Sequence, residues 1–98
     1  MVTEDGYILT VGRIPGPFES TNQKRPPIIL QHGLGTNMMQ WVFNTNDTAQ
    51  AFVLSRAGYD VWMPNNRGTR YSLGHVTLDA KRDSAYWHWS WEQMGIYD

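Results

Sequence analysis

Apolar positions along the chain fall into short blocks, and the residues that punctuate each block predict what it becomes. Ile28-Ile29-Leu30 follows Pro26-Pro27 and stops at Gln31-His32-Gly33-Leu34-Gly35. Prolines cannot donate to a ladder, so a strand can begin only after them. Three consecutive large apolar residues do not alternate, which predicts a strand covered on both faces, as parallel strands between helices are. Gly33 and Gly35 then permit a sharp turn through backbone angles that a Cβ opposes. In open α/β sheets ligands sit beyond the carboxyl ends of the strands, so His32 to Gly35 are the first candidates for a site.

The other blocks give the frame around this strand. Thr3 to Gly6 reads as a turn, followed by a strand over Tyr7–Val11 that Gly12-Arg13-Ile14 extends or bulges before Pro15 ends it. Gly16 to Arg25 is a polar, breaker-rich surface loop of the elaborated hairpin kind. From Thr36 to Asn46 no clean period survives, which predicts a long loop with short helical turns. Asp47, with Gln50 three residues on, has the pattern of a capping box. The helix it would start carries Ala49, Phe52, Val53 and Ala57 and ends at Gly58, placed for a left-handed cap. Tyr59–Met63 is a further strand, ended by Pro64. Strand, helix and strand make a βαβ unit, with parallel pairing and a right-handed crossover.

After Pro64, Asn65-Asn66-Arg67-Gly68-Thr69-Arg70-Tyr71-Ser72 again follows the carboxyl end of a strand, and the segment up to Ser84 is loop-like. Ser90 with Gln93 is a second capping box, and Met94, Ile96 and Tyr97 continue its helix. Asp98 follows without glycine, proline or a basic last turn, so that helix is expected to be cut short.

Composition narrows the function classes. The chain has 98 residues, 41% hydrophobic and 17% charged, which fits at most one globular domain with a modest core. A formal net charge of −1 gives no electrostatic case for nucleic acid or an anionic membrane. The absence of cysteine excludes disulfides and thiolate-bound zinc, and the three histidines show no ligand spacing, so no metal is expected. Neither an export signal nor a transmembrane segment is visible in these residues. Asn46-Asp47-Thr48 fits the acceptor pattern for N-glycosylation, which matters if the chain enters the secretory pathway.

Five motifs, in order along nearly the whole chain, carry a resemblance. They are Asp5-Gly6-Tyr7-Ile8-Leu9, Leu30-Gln31-His32-Gly33-Leu34, Ala57-Gly58-Tyr59-Asp60-Val61-Trp62, Asn65 to Ser72 with His75, and Trp89-Ser90-Trp91-Glu92 with Tyr97-Asp98. Together they resemble the acid lipase family of α/β-hydrolases, the gastric and lysosomal lipases and their plant relatives; Arg67 to Leu78 is most similar to the plant branch. The resemblance implies an α/β fold: the amino-terminal part of an α/β-hydrolase, a β-hairpin plus a right-handed βαβ unit with an incomplete sheet. Residues 1–98 would then be a partial lipase domain, truncated before the nucleophile elbow.

In that family the nucleophile is a serine on a Gly-x-Ser-x-Gly elbow, with the aspartate and histidine later in the chain. None of Ser20, Ser55, Ser72, Ser84 and Ser90 is so flanked, so no member of the triad is present and this chain alone is expected to be inactive. What the resemblance assigns here is the oxyanion hole: the backbone N–H of Leu34, supported by His32 and Gly33, with His32 bracing the loop rather than acting as a base. Asn65, Arg67 and Gly68 would form a structural loop at the site, with Arg67 tying loops together rather than clamping a ligand. His75 and His88 are expected to be hydrogen-bonded structural residues, and Trp87, Trp89 and Trp91 a buried aromatic brace. The implied function is hydrolysis of neutral-lipid esters, triacylglycerols or steryl esters, without a cofactor, in a secreted, lysosomal or vacuolar protein. The alternative is a non-catalytic truncated pseudo-enzyme or binding module. By the same resemblance the strand Ile28–Gln31 lies between Tyr59–Met63 and the missing elbow strand, so the isolated chain is expected to have little net stability and to self-associate.

Overall fold

Alternation in the strand Asp60–Pro64 sets the larger sheet: Val61 and Met63 are buried, while Asp60, Trp62 and Pro64 are half-exposed. A computed structural model describes residues 1–16 and 24–98, so most of the loop expected over Gly16 to Arg25 lies outside the described residues. The elements are β1 (Tyr7–Ile8), β2 (Val11–Ile14), β3 (Pro27–Ile29), a 3₁₀ helix Met38–Trp41, α1 (Gln50–Arg56), β4 (Asp60–Pro64), β5 (Gly74–His75), a 3₁₀ helix Ser84–Trp87 and α2 (Trp91–Tyr97). They fall into two units: Val11–Pro64, and Met1–Thr10 together with Asn65–Asp98.

In the unit Val11–Pro64, β4 lies in the middle of a mixed sheet of order β2-β4-β3. β3 runs parallel to β4 with Ile28 opposite Val61, and the bonds Asp60 N–H to Pro26 O (3.0 Å) and Leu30 N–H to Trp62 O (2.8 Å) extend that ladder at both ends. With α1 between them, β3 and β4 form the expected parallel βαβ unit. β2 and β3 do not pair with each other as a hairpin, because β4 takes both as neighbours and pairs antiparallel with β2. The one tight antiparallel return near the start joins Val2 to Ile8 instead, through the turn at Thr3–Gly6.

β3 is not covered on both faces. Ile28 and Leu30 pack with Val61, Met63, Ala51 and Leu54, whereas Ile29 is 68% exposed. Among the described residues, apolar cover reaches only the Ile28/Leu30 face, so a run of three apolar residues did not require two covered faces.

α1 begins later than the sequence pattern suggests. Asp47 lies in a turn closed by Thr48 N–H and Ala49 N–H on Thr45 O (3.0 and 2.9 Å), and Ala49 is the N-cap, with no side-chain cap bond. The local turn engages the backbone that an Asp47 cap would have needed. The inward face shifts with it: Ala51, Leu54 and Ser55 face the sheet, while Val53 and Ala57 are exposed. The C-terminus follows the expected pattern. Gly58 N–H bonds Ser55 O (3.1 Å) and Tyr59 N–H bonds Leu54 O (3.2 Å), the paired bonds of a Schellman cap, with Gly58 at φ 103°.

In the unit of Met1–Thr10 and Asn65–Asp98, β1 pairs antiparallel with β5. The core is Tyr7, Leu9 and Tyr86, with Leu78, Ala80 and Trp89 against it. Ser90 caps α2 with both halves of the capping box: its side chain accepts from a first-turn N–H, and Gln93 Oε1 accepts from Ser90 N–H at 2.7 Å. No helix among the described residues is long and apolar enough to cross a membrane.

Candidate functional site

The chain leaves β3 at its carboxyl end and turns through Gln31 to Gly35. His32 is half-buried and its Nδ1 donates to the carbonyl of its neighbour Gly33 at 2.9 Å. Leu34 is 81% exposed, and among the described residues no acceptor engages its N–H. The turn's left-handed residue is Gly35, at φ 73°; Gly33 lies outside that region, and a Cβ placed on it would meet nothing within 4 Å. The conformational demand expected at Gly33 therefore sits two residues on. Asn37 then caps the 3₁₀ helix, its Oδ1 accepting from Met39 N–H at 3.0 Å. In the same unit an open, mostly apolar groove of about 520 Å³ is lined by Leu30, Trp41, Thr48, Gln50, Val53 and Leu54.

Asn65, Arg67 and Gly68 come together in the other unit. Asn65 is buried; its Nδ2 donates to Thr10 O (2.8 Å), and its own carbonyl accepts from the Ser72 hydroxyl (2.7 Å). The Arg67 side chain has no exposed surface. Its two terminal nitrogens donate to the two Asp5 oxygens (2.6 and 3.0 Å), Nε donates to Asp98 Oδ1 (2.7 Å), and its backbone N–H donates to Asp98 Oδ2 (2.7 Å). The guanidinium lies 4.0 Å from the centre of the Tyr7 ring. Tyr7 in turn donates to Tyr86 O at 2.5 Å, and Tyr86 donates to Ser72 O at 3.2 Å. Three of the guanidinium's five N–H groups go to Asp5 and Asp98 and the side chain is wholly buried, so Arg67 ties the chain's own segments together and is closed to a substrate carboxylate or phosphate.

Electrostatics of the cluster follow from that geometry. Burial works to raise the Asp5 pKa, but hydrogen bonds from Arg67 and Thr3, with the guanidinium charge, outweigh it and hold the carboxyl below its ordinary 3.8. Burial likewise works against the charged form of Arg67, and its two carboxylate partners override it, leaving the pKa above the ordinary value. Burial pushes the phenols of Tyr7 and Tyr86 up.

His75 bears out its structural assignment. Its Nδ1 accepts from Thr77 N–H and Leu78 N–H, both at 3.1 Å, which leaves the proton on Nε2 to donate to Asp5 O at 3.2 Å. His88 does not: it is exposed, and among the described residues only its backbone is bonded. The aromatic brace is smaller than expected. Trp87 and Trp89 lie 6.1 Å apart and tilted by 36° beside Gly68, but Trp87 is 47% and Trp91 66% exposed, and the ring that fills the core is Tyr86. The sequence motifs contained Asp5 and Asp98 without indicating that both serve Arg67; a buried arginine must find carboxylates, and that demand was the available signal.

Comparison with known proteins agrees with the motifs. Residues 1–45 match the family described as the partial alpha/beta-hydrolase lipase region. Lipase lipl-1 of Caenorhabditis elegans is 46% identical over 101 residues, covering all of this chain and 25% of the worm protein. Triacylglycerol lipase 1 of Arabidopsis thaliana is 45% identical and human lysosomal acid lipase/cholesteryl ester hydrolase 42%, each over 98% of this chain and 24% of the relative. The chain spans about a quarter of the length of the curated relatives it matches. With lipases at this identity along its length and the lipase-region match at residues 1–45, the chain is similar to the acid lipases of the α/β-hydrolase family.

Proposed function

We propose that this chain is a partial lipase domain that contributes the oxyanion-hole loop to a serine carboxylic-ester hydrolase of neutral lipids, with the Leu34 N–H as one donor. The observation that carries the reading is the Leu34 amide itself. It follows a strand's carboxyl end, it is bonded to no acceptor among the described residues, and it lies in a chain whose relatives are named as lipases. When a serine attacks an ester carbonyl, the carbonyl oxygen gains charge, and a fixed N–H aimed at that oxygen is worth ~3–4 kcal/mol in the transition state. The serine elbow, the base and the orienting acid come from sequence other than these 98 residues. Acyl transfer through serine needs no cofactor. His32 supports the loop through its bond to Gly33 O, and Gly33 leaves the approach to the Leu34 amide free of side-chain atoms. A right-handed β3–α1–β4 crossover, the hand nearly all parallel units take, belongs to this proposal, as does a lumenal or secreted location.

The test uses a protein that carries this segment together with a Gly-x-Ser-x-Gly elbow. Gly35→Ala forces a Cβ into the left-handed region at about 1–2 kcal/mol, and the turn relieves it by displacing the adjacent Leu34 amide. The expected result is a kcat about tenfold lower on a neutral-lipid ester with KM unchanged. A rise in KM with full kcat would remove the loop from the chemistry and favour a binding module.

The proposal also has a consequence for the chain alone. β3 pairs only with β4, so its other edge is unpaired among the described residues, with Ile29 exposed beside it. Such an edge templates pairing with another chain. The 98-residue chain is expected to scatter light as an associated species and to bind apolar dyes, and Ile29→Lys should shift it toward the monomer. A wild-type monomer with a sharp thermal transition would contradict this.

A further inference from the structure

We infer that Gly12 is a positioning residue for the Leu34 amide: the gap it leaves in β2 seats Met38, and with it the 3₁₀ helix that closes the proposed oxyanion turn. The role rests on the oxyanion reading of that turn and adds what holds the turn in place. A glycine inside a strand packs no side chain and weakens the strand, so its presence needs a reason. Its backbone angle is not one, because Gly12 lies outside the left-handed region that Gly35 and Gly58 occupy. Space is the reason. Gly12 stands opposite Met63 and Ile14 opposite Val61, which places residue 12 on the face of the sheet that carries the buried Val61 and Met63. Met38 packs against that same cluster. A Cβ built on Gly12 would lie 2.8 Å from Met38 Sδ and 3.3 Å from Met63 Cε, so the thioether fills the room that a side chain at residue 12 would take.

The consequence runs along the chain to Leu34, which lies midway between Leu30 and Met38. Upstream, the chain is anchored by Leu30 N–H on Trp62 O at 2.8 Å. Downstream, the anchor is the 3₁₀ helix Met38–Trp41, capped by Asn37, with Met38, Trp41 and Val42 against Ala51, Val61 and Met63. The first anchor is a backbone bond that any side chain permits. The second depends on Met38 reaching the sheet, and therefore on Gly12. Methionine is flexible and could bend away from an added carbon. Bending away takes it off the core, and staying in contact lifts the helix; either loosens the downstream end of the turn.

The test uses a protein that carries this segment together with a Gly-x-Ser-x-Gly elbow. Gly12→Val should lower kcat on a neutral-lipid ester by ~10–100-fold at unchanged KM, the scale set by a misplaced group. Affinity for a boronic acid, which forms a tetrahedral oxyanion on the elbow serine, should fall by the same factor, because it reads the donor rather than the fold. Adding Met38→Ala to Gly12→Val moves the same apolar volume from the helix to the strand and should restore both. Gly12→Ala should give a smaller loss of the same kind, which keeps the test open where Gly12→Val does not fold. Wild-type kcat in the Gly12 variants, a loss that Met38→Ala does not restore, or a change confined to KM would each overturn the assignment. Gly35→Ala, measured alongside, separates the two claims. A loss of kcat there with none at Gly12 removes the positioning role alone, whereas wild-type kcat at both positions removes the oxyanion loop as well.

Discussion

Arg67→Met is expected to unfold the unit formed by Met1–Thr10 and Asn65–Asp98. The substitution keeps much of the volume and removes the charge, leaving the Asp98 carboxylate, 3% exposed, and the Asp5 carboxylate, 28% exposed, without their partner. Breaking a buried pair from one side typically costs ~3–5 kcal/mol, because the orphaned charge stays behind. Here the contact with the Tyr7 ring goes too, and domains of this size have only ~5–15 kcal/mol in total. The measurement is urea unfolding of the Ile29→Lys chain, followed by near-ultraviolet circular dichroism from Tyr7 and Tyr86. Arg13→Met is the control. Arg13 also has a carboxylate and an aromatic ring, Asp60 at 2.9 Å and Trp62 at 4.6 Å, but its side chain is half exposed and solvent screens it, so little should change. Equal losses for the two variants would show that burial does not distinguish the clusters.

Acid provides a second arm to the same experiment. Asp5 is held below its ordinary pKa in the folded chain, so its contribution is present in full above pH 3.8 and is lost as the pH falls through the lower, folded value. In Arg67→Met burial is left to raise the Asp5 pKa, so the gap between wild type and variant should hold at neutral pH and narrow as the pH falls through the variant's raised value, before the wild type loses its own contribution below 3.8. A gap that stays constant down to 3.8 would mean that Arg67 is not what holds Asp5 ionised.

The two substitutions also mark where sequence alone is informative. Signals that act over three or four residues agree with the structure: Ser90 with Gln93, the Gly58 cap, and the strand that follows Gly58. Asp47 failed for a local reason, since Thr45 and Thr48 closed a competing turn that pattern reading did not weigh. The partners of Arg67 lie 62 and 31 residues away, and no window along the chain could show which carboxylates would reach it. The pairing of both β2 and β3 with β4 is non-local in the same way. At the proposed oxyanion turn the sequence located the segment, but two glycines stood there, and only the backbone angles distinguish Gly35 from Gly33.

Gly68 shows what a glycine does when both its angle and its space are used, and Gly68→Ala is the second large effect expected. At φ 77° any Cβ incurs about 1–2 kcal/mol of backbone strain. Gly35, at φ 73°, has open space around it, so strain is all that its substitution should add to unfolding. At Gly68 the new carbon would lie 2.8 Å from Trp89 Cζ2 and 3.0 Å from Trp87 Cζ3. Neither contact is the end of a flexible chain. Trp87 is held by its indole N–H on Ala80 O at 2.9 Å and by the Tyr86 ring 4.8 Å away, and Trp89 packs against the buried core. Relief must therefore come from moving rings, which adds ~1–3 kcal/mol of overpacking. The cycle with Trp89→Ala isolates the Trp89 share of it. In that background the Trp87 contact at 3.0 Å remains, so Gly68→Ala should cost less than it does beside the intact Trp89 ring but still more than Gly35→Ala. An unchanged cost in the two backgrounds would remove Trp89 as the reason that glycine stands at this position.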